Sequence, residues 1–381
     1  MAPFDHARVG QRPTRLIVDR QIIARNATLI RERLSPATRL MAVVKANGYG
    51  HGAIESARAA IQGGASFLGV ATVSEACELR DAGIDTSILV LGSSSPLEAR
   101  EAAGMNVALG VGDIAQLGHL FEILDSNPPP HPLQIHLKID TGMRRFGISP
   151  SDASQVAQRI HAHPAIQLAG IYSHFAESDA ESLDRLGLQL DLFRSTLRAL
   201  DQLGIDRGIA HICNSAALLR IRIADLDMVR AGICLYGISP SEHVPLFEGL
   251  QPALEWRATV QHITEMAPGD RTGYGGTYAA SGHERLALLP IGYADGYPRH
   301  LSNRGWVGHQ GHRLPIRGRV SMDQCGVSIP SDDSLSVGDE VTILGRPETG
   351  APDANQLGAL IDTIGYEIVS RISRRVPVEY R

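Results

Sequence analysis

Lysine occurs only twice in these 381 residues, at Lys45 and Lys138, although the chain carries 36 cationic side chains and all the others are arginine. Genomic base composition explains the arginine excess but not the two exceptions. Lysine can release its proton and act as an amine nucleophile, whereas a guanidinium stays charged at any accessible pH. Lys45 follows three apolar residues in AVVKANGYGHG (42–52) and precedes a glycine-punctuated loop. An amine leaving an apolar strand end is partly desolvated, which lowers its pKa and favours imine formation with a carbonyl compound. The ordinary alternative is a lysine that simply reaches along the surface. Lys138 opens KIDTGMRRFG (138–147), where an ion pair with Asp140 or another neighbour would be its simplest use.

The elements that must position these amines follow from hydrophobic patterning. From about 39 to 237, short apolar runs at 40–45, 67–72, 87–92, 106–111, 133–140, 166–174, 209–213 and 227–233 alternate with amphipathic stretches such as 51–63, 150–162 and 184–203. Eight strand-then-helix units predict a (β/α)8 TIM barrel, an α/β fold. A doubly wound sheet is the alternative, but no GxGxxG follows the first strand, against its dinucleotide-binding version. After about 250 the pattern changes to strands at 254–266, 284–293, 312–323, 324–329 and 339–345, with one long helix at 354–373. This predicts a mainly β C-terminal domain. The expected domains are therefore 1–250 and 251–381, with residues 1–12 a candidate to associate with the second. NPPPHP (127–132) reads as a loop, since proline lacks the N–H that a helix or central strand needs.

In such a barrel, catalytic groups belong at the C-terminal strand ends. Lys45 closes the first predicted strand, Lys138 and Asp140 the fifth, and His174 the sixth; Asn214 and Ser215 follow the seventh, and Arg230 and Gly232 lie on the eighth. The polar groups thus share one rim. Barrels commonly bind phosphate after strands seven and eight, where backbone N–H groups and a helix N-terminus favour an anion. Asn214-Ser215 and Gly232-Ile233 fit that rule, although Ser215 could equally be an ordinary helix cap. A net charge of −5 without runs of like charge argues against nucleic-acid or anionic-membrane partners and favours small-molecule chemistry. No apolar leader opens the sequence and no stretch of ~18 uncharged apolar residues occurs, so a cytoplasmic protein is expected. Cys77, Cys213, Cys234 and Cys325 lie far apart without CxxC spacing, as reduced buried thiols do, and no metal site is expected.

AVVKANGYGHG closely resembles the cofactor-lysine motif of alanine racemases, enzymes dependent on pyridoxal 5'-phosphate (PLP). KIDTGMRRFG, SHF (173–175), HICNSAALL (211–219), VRAGICLYG (229–237), YGGTYAA (274–280), IGYADGYPR (291–299), GRVSMDQ (318–324) and IGYEIVSRI (364–372) follow in the family's order, from about 40 to 375. The resemblance implies two-base interconversion of L- and D-alanine, supplying D-alanine for peptidoglycan. It implies PLP on Lys45, with its phosphate held by Ser215, the amides of Gly232 and Ile233, and the hydroxyls of Tyr49 and Tyr366. Asn214 joins this cofactor-binding set. Arg230 would face the pyridine nitrogen, steadied by His174. An arginine there only donates hydrogen bonds and resists giving up its proton, which suits return of a proton to Cα over transamination.

Racemisation needs a base on each face of Cα, and Lys45 serves one. Tyr274 resembles the second, and in the family it comes from the second subunit, which implies a homodimer with shared active sites. Since a phenol ordinarily titrates near ~10, it would need nearby positive charge and desolvation. The substrate carboxylate would fall to Arg145 and the amide of Met322, supported by Asp323, with Arg145 and not Arg144 at the matching distance from Lys138. The family's equivalent of Lys138 is often carbamylated, which turns an amine into an anion able to hold the arginine. Tyr293 and Tyr366 would crowd the space beyond the substrate methyl. Gly273, Ser321 and Gly48 depart from the residues frequent in relatives (Ser, Cys and Ala), all at small-residue positions. The nearest rival is a racemase of serine or of a broader set of amino acids, expected to carry a smaller or more polar residue than Tyr366. An amino-acid decarboxylase on the same fold is opposed by Arg230 and Tyr274. A non-catalytic PLP-binding barrel would lack the β domain that holds Tyr274 and Met322.

Overall fold

The computed structural model describes residues 12–381 apart from positions 127 and 130. The association expected of residues 1–12 thus falls, Arg12 excepted, outside the described residues, as do two positions of the proline-rich loop. The chain forms two compact units, one of Gln21–Gln251 and one of Pro252–Arg381 together with the segment up to Arg20.

After a first strand, β1 (Thr14–Val18), and the helix Arg20–Arg33, the eight expected barrel strands follow: β2 (Arg39–Val43), β3 (Phe67–Val70), β4 (Ser87–Val90), β5 (Val107–Val111), β6 (Leu133–Lys138), β7 (Ile166–Tyr172), β8 (Ile209–His211) and β9 (Met228–Ala231). They pair in parallel in the order β8-β7-β6-β5-β4-β3-β2-β9. The ring closes where Asp227 N donates to Ala210 O (3.1 Å) and Arg230 N to Cys213 O (3.1 Å). Strands such as VALGV and MVRA are buried at every residue, as parallel strands covered on both faces must be. Sequence also starts the outer helices. Thr72 with Glu75, and Ser95 with Glu98 ahead of Pro96, form capping boxes at the helices Val73–Asp81 and Pro96–Gly104.

Three interior glycines make room for large neighbours. A Cβ on Gly69 would lie 2.9 Å from Met41 Sδ, on Gly110 2.4 Å from Tyr172 Oη, and on Gly170 2.3 Å from His136 Nδ1. Small residues opposite large ones are how a closed barrel fills its centre. Among the described residues no helix is long and apolar enough to cross a membrane.

The second unit contains β10 (Leu254–Thr259), β11 (His262–Met266), β12 (Arg271–Thr272), β13 (Tyr278–Ala279), β14 (Glu284–Leu289), β15 (Trp306–His309), β16 (His312–Arg317), β17 (Cys325–Ile329), β18 (Glu340–Leu344) and β19 (Val378–Tyr380). Nine strands form one sheet in the order β11-β14-β17-β16-β15-β18-β10-β1-β19. The two units divide between Gln251 and Pro252, and the N-terminal assignment needs correction. β1 pairs antiparallel with β10 and parallel with β19, so it completes this sheet instead of joining the barrel. The run 254–266 is two strands, and 354–373 is two short helices, Ala354–Ala359 and Gly365–Ser370. Between the helices Asp362 turns left-handed (φ 56°) and Thr363 N closes on Gly358 O.

Gly170→Ala, whose Cβ would also lie 2.7 Å from Ile209 O, is expected to lower stability by about 1–3 kcal/mol in urea denaturation. Gly187→Ala, within the helix Asp184–Gln202 and with nothing within 4 Å, is expected to raise it by about 0.5–1 kcal/mol. Equal effects from the two would contradict this account of the barrel interior.

Candidate active site

The end of β2 leads into an unusual turn. Ala46 (φ 52°), Asn47 (55°), Gly48 (61°) and Tyr49 (51°) are all left-handed. L residues rarely adopt this in succession, at a cost of roughly 1–2 kcal/mol each. Gly48 N donates to Val44 O (2.8 Å), Gly50 N to Ala46 O (3.1 Å), Gly52 N to Asn47 O (2.9 Å) and Ala53 N to Asn47 Oδ1 (3.1 Å). A Cβ on Gly48 would lie 2.8 Å from Ser56 Oγ, which gives a packing reason for glycine at this departure from the family. Lys45 opens the turn, and its amine makes no hydrogen bond among the described residues. Burial lowers its pKa, the charge of Arg145 lowers it further, and Glu75 opposes both.

Lys138 ends β6, is 5% exposed, and places its Nζ 4.6 Å from the Phe146 ring centre and 5.6 Å from that of Tyr172. The simple ion pair with Asp140 does not form: Asp140 Oδ1 accepts instead from Gly142 N (2.9 Å) and Arg144 N (3.1 Å). Burial, then Arg145 and Arg230, bring the Lys138 pKa down to about 8, with Asp140 acting the other way. The charge of Arg145 is felt by Lys45, Lys138, Tyr172 and His174, and that of Arg230 by the last three.

Arg230 on β9 is buried to 4% exposure, and all the hydrogen bonds it makes among the described residues go to neutral groups. Nη2 donates to Ser173 O (2.9 Å), Ile212 O (3.0 Å) and His174 Nδ1 (3.1 Å), and Nη1 to His211 Nδ1 (2.9 Å). Burial lowers the Arg230 pKa to about 10, which still leaves it charged at neutral pH. Because a guanidinium cannot accept, the contacts fix tautomers. His211 carries its proton on Nε2 and donates it to His136 Nδ1 (2.9 Å). His136 Nε2–H is then buried with no partner among the described residues. Burial and the Arg230 charge hold His174 and His211 well below the usual imidazole range and His136 at about 3, so all three are neutral. Tyr172 stacks on His211 (5.1 Å, 7°), with its hydroxyl tied to Leu91 O (3.0 Å). Sequence reading missed His136, His211 and Tyr172. Their inward positions on predicted strands were the available signal.

Beside this network lie the residues from which a phosphate cradle was expected. Asn214 caps the helix Ser215–Arg220 through Ala217 N (3.0 Å) and accepts from Ser178 Oγ (2.9 Å). Gly232 N donates to Ser215 Oγ (2.8 Å), and Gly232 opens the turn Ile233–Tyr236. A Cβ on Gly232 would sit 2.8 Å from Tyr49 Oη and 3.4 Å from Ser215 Oγ. Tyr49, Ser215 and Gly232 therefore converge from three elements.

In the second unit, Tyr274 starts a short turn flanked by Gly273 (φ 73°) and Gly275 (φ 74°) and is 72% exposed. The loop 318–323 ties the site residues of this unit together. A Cβ on Gly273 would lie 3.1 Å from Arg319 N, Tyr293 N donates to Ser321 O (3.0 Å), and Ala294 N donates to Met322 O (3.0 Å). Arg375 Nη2 donates to Asp323 Oδ1 (2.7 Å), while its Nε lies 3.4 Å from the wholly buried Asp295, which also pairs with Arg12. Asp295 and Arg375, absent from the sequence reading, therefore brace the loop bearing Met322 and Asp323. Met322, Tyr293 and Ile364 expose large apolar surfaces here, and Tyr366 lies half-buried on the helix Gly365–Ser370.

A closed parallel barrel with a desolvated lysine, a cradle at its last two strands and a separate β unit define an enzyme of the barrel-plus-β-domain class. The descriptions "Alanine racemase, N-terminal domain" and "Alanine racemase, C-terminal domain" match residues 18–240 and 253–380. The chain belongs to the alanine racemase family. The alanine racemase of Symbiobacterium thermophilum is 42% identical over 373 residues, covering 97% of this chain and 98% of that protein. Alanine racemase 2 of Bacillus subtilis is 39% identical over 367 residues, covering 95% and 93%. Among solved structures, the alanine racemase of E. faecalis superposes with a TM-score of 0.91 at 36% identity, covering 97% of this chain and 98% of that one. The Bacillus anthracis enzyme with bound L-Ala-P also gives 0.91, at 35% identity, covering 100% and 96%.

With lysine alone isotopically labelled, the protein offers two side-chain signals, and that of Lys138 is expected to titrate near 8. The unfolded chain keeps this proton up to about 10.5. Between those values it binds more protons than the folded chain, so the lysine's contribution to stability should rise with pH across that window. A Lys138 midpoint near that of a free lysine would refute this picture of the site.

Proposed function

We propose that this chain is a PLP-dependent enzyme that interconverts L- and D-alanine. The observation that carries the reading is Arg230, a buried cation fixed by neutral acceptors in the same barrel as a desolvated Lys45. The residues present fit the cofactor. Lys45 offers an amine of lowered pKa, and Ser215, Tyr49 and Gly232 form a cradle that any side chain at position 232 would obstruct. Asn214 orients the helix behind Ser215, and the Ile233 amide stands next to Gly232. When bound, PLP supplies an electron sink that acidifies the Cα–H of an amino acid.

Arg230 would keep its protons and only donate hydrogen bonds to the ring nitrogen, which favours reprotonation at Cα. His174, neutral, steadies that guanidinium. Lys45 Nζ would hold or deliver the proton on one face of Cα. Tyr274 of the partner subunit would serve the other, in a homodimer whose active sites are shared. The 72% exposure of Tyr274 and the apolar surface around Met322 and Tyr293 support a role in which this face is covered by a second copy. Arg145, as a fork, and the Met322 amide would bind the substrate carboxylate, with Asp323 holding the loop. A neutral Lys138 amine is the form that reacts with carbon dioxide, so carbamylation of Lys138 and pairing of the product with Arg145 belong to the same reading. Tyr293, and Tyr366 as a further ligand near the phosphate, would limit the substrate side chain to a methyl. A cytoplasmic setting and supply of D-alanine for peptidoglycan complete the proposal.

Purified protein incubated separately with L-alanine, L-serine and L-lysine is expected to yield D-isomer predominantly from L-alanine. Protein that carries PLP yet forms no D-alanine would overturn the assignment. Tyr274→Phe should retain cofactor colour while losing racemisation by about a hundredfold or more, and Lys45→Ala should lose covalently held cofactor. Normal racemisation by Tyr274→Phe would dispose of the two-base scheme. A carbamate signal after incubation with labelled bicarbonate, absent in Lys138→Arg, is the corresponding check on Lys138.

A further inference from the structure

The hydrogen bonds within the left-handed turn leave the N–H of its first peptide, at Ala46, to be satisfied from another segment. It donates to Glu75 Oε1 at 2.7 Å. The other oxygen of the same carboxylate accepts from Ala71 N at 2.7 Å and more loosely from Thr72 N at 3.4 Å. Glu75 is the third residue of the helix Val73–Asp81, and Thr72 caps that helix by accepting from Glu75 N at 3.3 Å. A capping box requires the carboxylate to reach back only to the cap residue. Here the two short contacts go elsewhere, to the turn after β2 and to the residue just beyond β3. The carboxylate is a bridge between two adjacent strand ends more than a helix cap.

The same group carries the negative charge set against the cations around Lys45. Arg145 lowers the affinity of this amine for its proton, Lys138 and the neutral His174 share its electrostatic surroundings, and Glu75 acts in the opposite direction. A base that must give up and take back a proton near neutrality works best at an intermediate pKa, and burial beside cations alone would drive it too low.

We propose that Glu75 is a positioning residue for Lys45: its carboxylate straps the first peptide of the left-handed turn to the end of β3 and supplies the counter-charge for the amine. The proposal deepens the reading of Lys45 as the cofactor-bearing base and rests on it for its role in the reaction. Its strap and its charge are measurable separately.

Full-length protein labelled with carbon-13 on lysine, freed of cofactor, gives two side-chain titrations, assigned by Lys138→Arg. In Glu75→Gln the Lys45 midpoint is expected to fall by about one unit, with a much smaller change at Lys138. Retention of PLP by the holoenzyme in equilibrium dialysis is expected to weaken about tenfold or more, because a neutral amide with one acceptor oxygen cannot keep the charge-assisted bonds to both Ala46 and Ala71. Thr72→Ala, which removes the helix cap but keeps the carboxylate, should leave the Lys45 titration in place. An unchanged Lys45 midpoint in Glu75→Gln, or an equal shift in Thr72→Ala, overturns the counter-charge; unchanged cofactor retention overturns the strap. Should Glu75→Gln fail to fold, the wild-type amide protons of Ala46 and Ala71 decide the matter. Both should be protected from exchange with solvent by the carboxylate that accepts from them, and rapid exchange at either overturns the proposal. The lysine titration is read without cofactor, so its outcome does not depend on whether Lys45 proves to carry PLP.

Discussion

A guanidinium removed from water, with no carboxylate beside it among the described residues, is the constraint around which the barrel is arranged. Leaving a charge buried and unpaired costs several kcal/mol, unless local dipoles take the place of the lost hydration. At Arg230 those dipoles are the carbonyls of Ser173 and Ile212 and the imidazoles of His174 and His211. The carbonyls face inward because the chain leaves the ladder after Tyr172 and His211, where β7 and β8 end. The imidazoles must be neutral to accept, and the positive field of Arg230 itself helps keep them so. One charge thus sets two strand ends, three protonation states and the stacking of Tyr172.

The second unit solves a different problem, that of holding exposed side chains in place without burying them. Tyr274, Tyr293 and Met322 all project from short turns, and such turns are stiff only where their backbones are tied. Here the ties converge on the loop 318–323, whose carbonyls accept from Tyr293 and Ala294 and whose Asp323 is gripped by Arg375. Gly292 permits the close approach, since a Cβ there would lie 2.3 Å from the carbonyl oxygens of both Ser321 and Met322. Asp295 at the base of the arrangement is wholly buried and balances Arg12 and Arg375.

The barrel was legible because parallel strands buried on both faces are uninterrupted apolar runs, and all eight fall where those runs lie. Seven of the eight C-terminal ends were read too long, among them 173–174, 212–213 and 232–233, where side chains leave the ladder to face the site. The β unit was less legible. Trp306–His309 is short and contains a glycine, and β1 has no local cue to partners more than two hundred residues away. At the site, Lys45 stood out by residue type, and Ser215 and Gly232 by position. The pairing of His136 with His211 could not be read, because it depends on β6 and β8 turning their side chains to one point across β7. Glu75 was concealed by its own motif: TVSE reads as a helix start, and nothing in the four residues reveals the bond to Ala46.

The placement of β1 bears on how the polypeptide is made. It sits between β10 and β19, so the barrel is in effect an insertion within the β unit. On the ribosome the barrel can complete its ring once Ala231 has emerged, whereas Thr14–Val18, synthesised before the barrel, must wait as an unpaired apolar strand until Leu254 and finally Val378 arrive. A segment made before the barrel is therefore among the last to find its place. Through that interval it is a sticky edge that nascent-chain chaperones would be called on to shield.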